Sequence, residues 1–87
     1  MNNILITGAG KGIGRQILFD GIEQKNTFIY AIIRSKKDFA DIKRKTKNKN
    51  CKLYLGDISN LKIIDKIVSD SIKFSKEITG LVNNSGE

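Results

Sequence analysis

The sequence predicts an α/β fold in which parallel strands alternate with helices to form a doubly wound sheet. A glycine-rich segment, residues 7–14, joins a short apolar run to a helical pattern. Residues 27–33 form a nearly unbroken apolar run, which is typical of a parallel strand covered on both faces. Strand-like and helix-like segments then alternate along the rest of the chain, and right-handed crossovers make such strands parallel.

Apolar periodicity places the individual elements. In chain order the predicted strands are residues 3–7, 27–33, 51–55 and 78–83, and the predicted helices are residues 12–24, 39–47 and 60–74. The apolar residues of the first helix fall on one stripe, made of Ile13, Ile17, Leu18 and Ile22. Gly14 and Gly21 on the same helix allow it to approach the sheet closely.

The second predicted helix has a weak apolar stripe, and the third has a strong one. The second helix has only Phe39 and Ile42 as inward residues, and Asp38 is its candidate N-cap. Ser59 is the candidate N-cap of the third helix, whose apolar residues recur at helical spacing: Leu61, Ile64, Ile67, Val68 and Ile72. The expected strand order is 3-2-1-4, with a ligand crevice where strands 1 and 4 meet.

Length and composition restrict the classes of function. A chain of 87 residues forms one domain at most, and we expect residues 1–87 to be the N-terminal piece of a longer protein. It has no His and one Cys, so these residues hold no internal disulfide, zinc site or His-based triad, and we expect no metal. No signal peptide or membrane-length apolar run is present, so a cytoplasmic location and no membrane partner are expected.

The net charge of +7 raises the alternative of a nucleic-acid binder. Its only support is a basic cluster between predicted elements, made of Lys43, Arg44, Lys45, Lys47, Lys49 and Lys52. The cluster has no interleaved aromatic residues on which bases could stack, so we expect no nucleic-acid partner.

The glycine spacing after the first strand predicts a phosphate site. Backbone N–H groups at a helix N-terminus lack internal partners and carry the positive end of the helix dipole, and glycines let a pyrophosphate approach them. The common G-x-G-x-x-G pattern fails here, because Ile13 or Arg15 stands where its third glycine belongs. The P-loop pattern fails as well, because it requires Ser or Thr after its lysine and Gly12 follows Lys11 here. The alternative is a glycine-rich loop without a ligand.

The spacing that fits is T-G-x-x-x-G-x-G over residues 7–14, and here the chain resembles the short-chain dehydrogenase/reductase family. The epimerase-like branch is disfavoured, because Lys11 occupies its second glycine position. The resemblance implies a Rossmann-like sheet, of which this chain holds the N-terminal part. It also implies a nicotinamide dinucleotide at the glycine turn, bound through Gly8, Gly10, Lys11, Gly12, Ile13 and Gly14.

The residue after the second strand predicts which cofactor is used. An acidic residue there would bind the ribose and repel a 2′-phosphate, but the chain has Arg34 and then Ser35. A guanidinium can hold a phosphate bidentately, and Lys11 adds a second positive charge. In the resembled family, basic residues at these places accompany NADP(H), so NADP(H) is expected over NAD(H). The alternative for Arg34 is a solvated loop cation.

Two further segments match the family. Asp57 and Ile58 follow the third strand, where the resemblance places the adenine ring; their alternative is ordinary turn chemistry. The run Asn83-Asn84-Ser85-Gly86 resembles the family's N-N-A-G at the end of the fourth strand. The resemblance implies that Asn83, Ser85 and Gly86 lie at the cofactor and brace the sheet, with Ser85 replacing the usual Ala.

The catalytic half of the family pattern is missing from this sequence. The family's Tyr and the Lys four residues later have no match, since Arg34 follows Tyr30 at that spacing and Ile58 follows Tyr54. Tyr30 is predicted to be a core residue. The expected function is therefore the NADP(H)-binding portion of an oxidoreductase, nearest to 3-oxoacyl-carrier-protein reductases, acting on a small-molecule or acyl-thioester substrate as a homo-oligomer. A non-enzymatic dinucleotide-binding or redox-sensing module, or an inactive fragment, is the alternative.

Overall fold

A computed structural model describes residues 2–84 and shows a parallel four-stranded sheet flanked by helices. The strands are β1 (Asn2–Ile6), β2 (Thr27–Ile33), β3 (Cys51–Leu55) and β4 (Gly80–Val82). The helices are α1 (Gly12–Gly21), α2 (Lys36–Lys45) and α3 (Leu61–Lys73). The strand order is β3-β2-β1-β4, so the predicted α/β class and the predicted order 3-2-1-4 are both confirmed.

The core lies on both faces of β2, because successive side chains of a strand point to opposite faces. On one face Ile29, Ala31 and Ile33 pack with Leu18 of α1 and Ile42 of α2. On the other face Tyr30 and Ile32 pack with Tyr54 and with Ile67 of α3. The apolar run of β2 is thus buried on both sides, as predicted, and Tyr30 is fully buried in the core.

Tight packing of α1 on the sheet depends on a glycine. A Cβ on Gly21 would collide with Cδ1 of Ile29, so only glycine lets the end of α1 lie this close to β2. The helix ends at Gly21, before the predicted residue 24, and the chain then turns through Asn26, which adopts a positive φ of 57°. Asn tolerates this conformation better than most residues do.

Helix ends and two apolar stripes differ from the predictions. Ser35, and not Asp38, is the N-cap of α2, since its Oγ accepts a hydrogen bond from the backbone N–H of Asp38 at 3.3 Å. Asn60, and not Ser59, caps α3 through the N–H of Lys62 at 3.0 Å. The side chains predicted to face inward but found exposed are Ile13, Leu61, Val68 and Ile72. Periodicity identified these helical faces without showing which apolar positions the sheet covers.

Candidate functional site

A cleft of about 600 Å³ opens where β1 and β2 end. It is lined by Gly8, Gly10, Lys11, Gly12, Ile13, Arg34, Ser35, Asp38 and Asn84. The carboxyl ends of parallel strands beside a topological switch point are where ligands bind in open α/β sheets. β1 lies at that point here, because β2 pairs with one side of it and β4 with the other.

The glycine turn adopts backbone conformations that favour glycine. Gly8 has a φ of 62° and Gly12 a φ of 56°, both in the left-handed region. A Cβ on Gly14 would lie 2.7 Å from Nδ2 of Asn84 and still closer to the carbonyl oxygen of Gly8. A Cβ on Gly10 would lie 3.0 Å from Cγ2 of Ile33. The turn is therefore packed closely at Gly10 against β2 and at Gly14 against the end of β4, and neither position has room for a side chain.

The segment after β4 holds the glycine turn in place. The buried Thr7 hydroxyl donates to Oδ1 of Asn83 at 2.9 Å, and it accepts from the backbone N–H of Asn84 at 2.9 Å. Nδ2 of Asn84 also donates to the carbonyl oxygen of Gly8 at 3.3 Å. The predicted bracing of the sheet by this segment is thus present in the hydrogen bonds of Asn83 and Asn84.

The N-terminus of α1 faces the cleft with positive potential. Lys11 is the N-cap, but its side chain makes no capping hydrogen bond, and the first turn of α1 contains no acidic residue. The first backbone N–H groups of a helix have no partners within it, and the helix dipole adds roughly half a positive charge there. A pyrophosphate is the kind of anion such a terminus binds.

Two cations line the mouth of the cleft, and each of them pairs with a carboxylate. Nζ of Lys11 lies 3.9 Å from Oδ2 of Asp38, and Nε of Arg34 lies 3.5 Å from Oδ2 of Asp57. The backbone N–H of Ser59 donates to Oδ1 of Asp57 at 3.0 Å and lowers the pKa of this carboxyl below its ordinary value, and Arg34 lowers it further. Lys11 and Arg34 are both mostly exposed, at 83% and 65% of their side chains.

The structure brings together most of the residues that were predicted to bind the cofactor. The cleft is lined by Gly8, Gly10, Lys11, Gly12, Ile13, Arg34 and Ser35. Gly14 does not line it but packs against the backbone of Gly8 in the turn. Asp57 reaches the cleft only through Arg34, and Ile58 packs against the core around Tyr30. Ser85 and Gly86 lie outside the described residues. Contacts between these residues and a cofactor stay predictions.

Sequence reasoning missed two lining residues, Asp38 and Asn84. The sequence predicts Asp38 only as a helix cap; its place in the first turn after β2 is the signal that it faces the same edge as Arg34. Asn84 lines the cleft, and the neighbouring Asn83 accepts the hydrogen bond from the Thr7 hydroxyl. The contact of Asn83 with the cofactor stays a prediction. The two adjacent amides were indistinguishable in the sequence.

Residues 2–84 contain neither a metal-binding cluster nor a membrane-spanning helix. No three His, Cys, Asp or Glu side chains in this part of the chain come close enough to hold a metal ion. None of the helices described is long and apolar enough to cross a membrane.

Known proteins resemble this chain over nearly its whole length. The family model described as short chain dehydrogenase matches residues 2–87. An 11-beta-hydroxysteroid dehydrogenase-like 3 protein of Arabidopsis thaliana is 28% identical over 87 residues, which are 95% of this chain and 28% of that protein. The uncharacterized oxidoreductase YIR035C of Saccharomyces cerevisiae is 31% identical over 86 residues, covering 95% of this chain and 33% of that protein.

Solved structures agree with these matches. The crystal structure of the YIR035C short chain dehydrogenase/reductase from Saccharomyces cerevisiae superposes with a TM-score of 0.82 at 28% identity, over 97% of this chain and 33% of that one. The KRED1-Pglu enzyme superposes with a TM-score of 0.78 over 93% of this chain and 34% of that one; at 16% identity it shows the fold alone. The chain thus spans about a third of the length of these relatives.

Proposed function

This chain belongs to the short chain dehydrogenase family of oxidoreductases, and we propose that it forms the NADP(H)-binding part of an enzyme that transfers hydride between the nicotinamide and a carbonyl or alcohol. The observation that carries the proposal is the cleft in which the N-terminus of α1 and the cations Lys11 and Arg34 surround one opening. The whole enzyme's reaction rests on the family, because the chain covers a third of its relatives.

The cleft fits a dinucleotide in its backbone as well as in its charge. The positive φ of Gly8 and Gly12 favours glycine over residues with side chains, and Gly14 has no room for a Cβ, so a diphosphate can approach the backbone N–H groups at the start of α1 directly. Ile13 is 65% exposed beside them and offers an apolar surface to the ligand. When bound, the nicotinamide would supply or accept the hydride, and the residues of this chain would bind and orient the cofactor.

Preference for the phosphorylated cofactor follows from the competition for the two cations. Lys11 and Arg34 line the cleft and each pairs with one carboxylate, and both cations are mostly exposed to water, where ion pairs contribute little. A 2′-phosphate offers up to two charges and several acceptor oxygens, which a guanidinium can bind bidentately. Since hydrogen bonds to charged groups contribute about 1.5–3 kcal/mol, we expect NADPH to bind roughly ten to a hundred times more tightly than NADH.

The acid and base of the reaction are not expected from this chain. Both tyrosines point away from the cleft, because Tyr30 donates to the carbonyl of Lys76 and Tyr54 donates to the carboxylate of Asp70, each at 2.8 Å. Neither of the curated relatives described above is named a 3-oxoacyl reductase, so reduction of a 3-oxoacyl thioester stays a prediction from sequence resemblance.

The proposal is tested by Arg34→Asp in the protein expressed from its complete gene. Replacing the cation with a carboxylate should reverse the preference, so that NADH binds more tightly than NADPH in fluorescence titrations. Lys37→Asp is the matched control, because it makes the same change of charge in α2 on an exposed residue that does not line the cleft. The NADP(H) assignment is wrong if both variants keep the parent's affinity ratio.

Turnover separates an enzyme from a module that only binds the cofactor. We expect the parent protein to oxidise NADPH when it is supplied with a panel of aldehydes and ketones. The loss of NADPH absorbance measures this reaction. Tight binding without any turnover across the panel would favour the non-enzymatic alternative.

A further inference from the structure

Asp38 places a negative charge inside the cleft. Its side chain is only 16% exposed, and its Oδ2 lies 3.9 Å from Nζ of Lys11. Its Oδ1 lies 4.0 Å from Nη1 of Arg15. A Cβ added to Gly10 would lie 3.5 Å from Oδ2, so the carboxylate is seated against the glycine turn itself.

The position of this carboxylate is held by the backbone of α2. Ser35 caps the helix by accepting a hydrogen bond from the N–H of Asp38, and an acidic residue in the first turn is stabilised by the helix dipole. Lys11, by contrast, is 83% exposed and can leave the ion pair without exposing buried surface. When an anion enters the cleft, Lys11 can therefore turn toward it while Asp38 stays in place.

We propose that Asp38 is a specificity-determining residue that limits how strongly the cleft prefers a 2′-phosphorylated dinucleotide; the inference rests on the proposed function. Asp38 lines the cleft together with Arg34 and Ser35, where the 2′-phosphate is expected, and its backbone N–H donates to the Ser35 hydroxyl at 3.3 Å. A fixed carboxylate there repels that phosphate and competes with it for Lys11. Its effect on the pyrophosphate is common to both cofactors, and it cancels in the ratio of their affinities.

A purely structural role for Asp38 makes a different prediction. As a first-turn acid of α2 it would affect the stability of the helix, and both cofactors would be affected alike. The ratio of the affinities for NADP+ and NAD+ therefore separates the two roles.

The test is calorimetric titration of NADP+ and NAD+ into the protein expressed from its complete gene and into its Asp38→Asn variant. Asn keeps the size of the side chain and removes its charge. We expect NADP+ to bind about five- to tenfold more tightly in the variant, since a unit charge several ångströms from a doubly charged phosphate acts on this scale in water. NAD+ binding should change less than about twofold.

Asp41→Asn is the matched control. Asp41 is in the same helix and pairs with Arg15, as Asp38 does, and with Arg44 and Lys45, but it does not line the cleft. Its variant should leave the affinity ratio unchanged. Asp38→Ser, which also suits the first turn of a helix, should reproduce the effect of Asp38→Asn if that variant folds poorly.

The outcomes distinguish the two proposals. If both nucleotides bind the parent but the ratio is the same in the parent and the Asp38 variants, or moves equally in Asp41→Asn, the role of Asp38 is refuted and the cofactor site stands. If the parent binds neither nucleotide, the proposed function fails, and this inference fails with it.

Discussion

Gly14→Ala should loosen the glycine turn, because a methyl group at this position has no room. The new Cβ would lie 2.7 Å from Nδ2 of Asn84, 3.0 Å from the carbonyl carbon of Gly8 and closer still to its oxygen. The Gly8 atoms belong to the backbone and cannot rotate away. The turn or the end of β4 must therefore move, and the hydrogen bond of 3.3 Å between Asn84 and the Gly8 carbonyl is lost.

Three contributions determine the size of this effect. Overpacking of a closed site costs about 1–3 kcal/mol, and a lost neutral hydrogen bond costs about 0.5–1.5 kcal/mol. Alanine in a helix recovers up to about 1 kcal/mol relative to glycine. With the full helix gain subtracted, we expect a net destabilisation of about 0.5–3.5 kcal/mol, together with weaker NADPH binding because the anion site is displaced.

Gly80→Ala is the control for this prediction. A Cβ on Gly80 would lie 3.6 Å from Cγ1 of Ile4, an ordinary contact, and the residue is in the strand β4. Its replacement should be neutral or stabilising by up to about 1 kcal/mol. Urea unfolding of both variants gives the comparison. The close contact at Gly14 is refuted if Gly14→Ala is as stable as Gly80→Ala and binds NADPH like the parent.

Two hydroxyl groups lead to further predictions, both measured by urea unfolding. Thr7→Val removes the acceptor of the Asn84 N–H at a buried position and should destabilise the protein by about 1–3 kcal/mol. Thr7→Ser keeps the hydroxyl and should destabilise the protein less. Equal destabilisation by the two variants would contradict the bracing role of Thr7. The Tyr54 hydroxyl donates to Asp70 and lowers the pKa of this carboxyl. The hydrogen bond therefore stabilises the fold fully above the ordinary pKa of an Asp, and this stabilisation is lost as pH falls through the lowered pKa. The destabilisation caused by Tyr54→Phe should therefore shrink on acidification. The destabilisation caused by Tyr30→Phe should stay constant, because the Tyr30 hydroxyl donates to a carbonyl oxygen that does not titrate. Parallel pH profiles of the two variants would refute this reasoning.

The parts of the fold that the sequence predicted are those controlled by local pattern. The apolar run of β2 is visible because burial on both faces requires it. The glycine turn is visible because its conformations leave few alternatives to glycine. The predicted strand order rests on the doubly wound arrangement, in which the order reverses beside β1.

What the sequence could not predict depends on contacts between distant segments. Ser35 and Asp38 are both good capping residues, and only the path of the chain out of β2 decides that Ser35 caps and Asp38 faces the cleft. The exposure of Ile13 likewise follows from its place at the cleft mouth, where the sheet does not cover α1. Periodicity alone carries no information on either point.

The hydrogen bonds from Thr7 to the end of β4 join residues 76 and 77 positions apart in the chain. Contacts of such long sequence separation form late, because the intervening chain must lose its freedom first. During synthesis the glycine turn emerges early but stays unsupported until Asn84 has been added and β4 has docked on β1. Competence to bind the cofactor therefore coincides with the docking of β4 on β1, and the nascent chain exposes no finished nucleotide site before then.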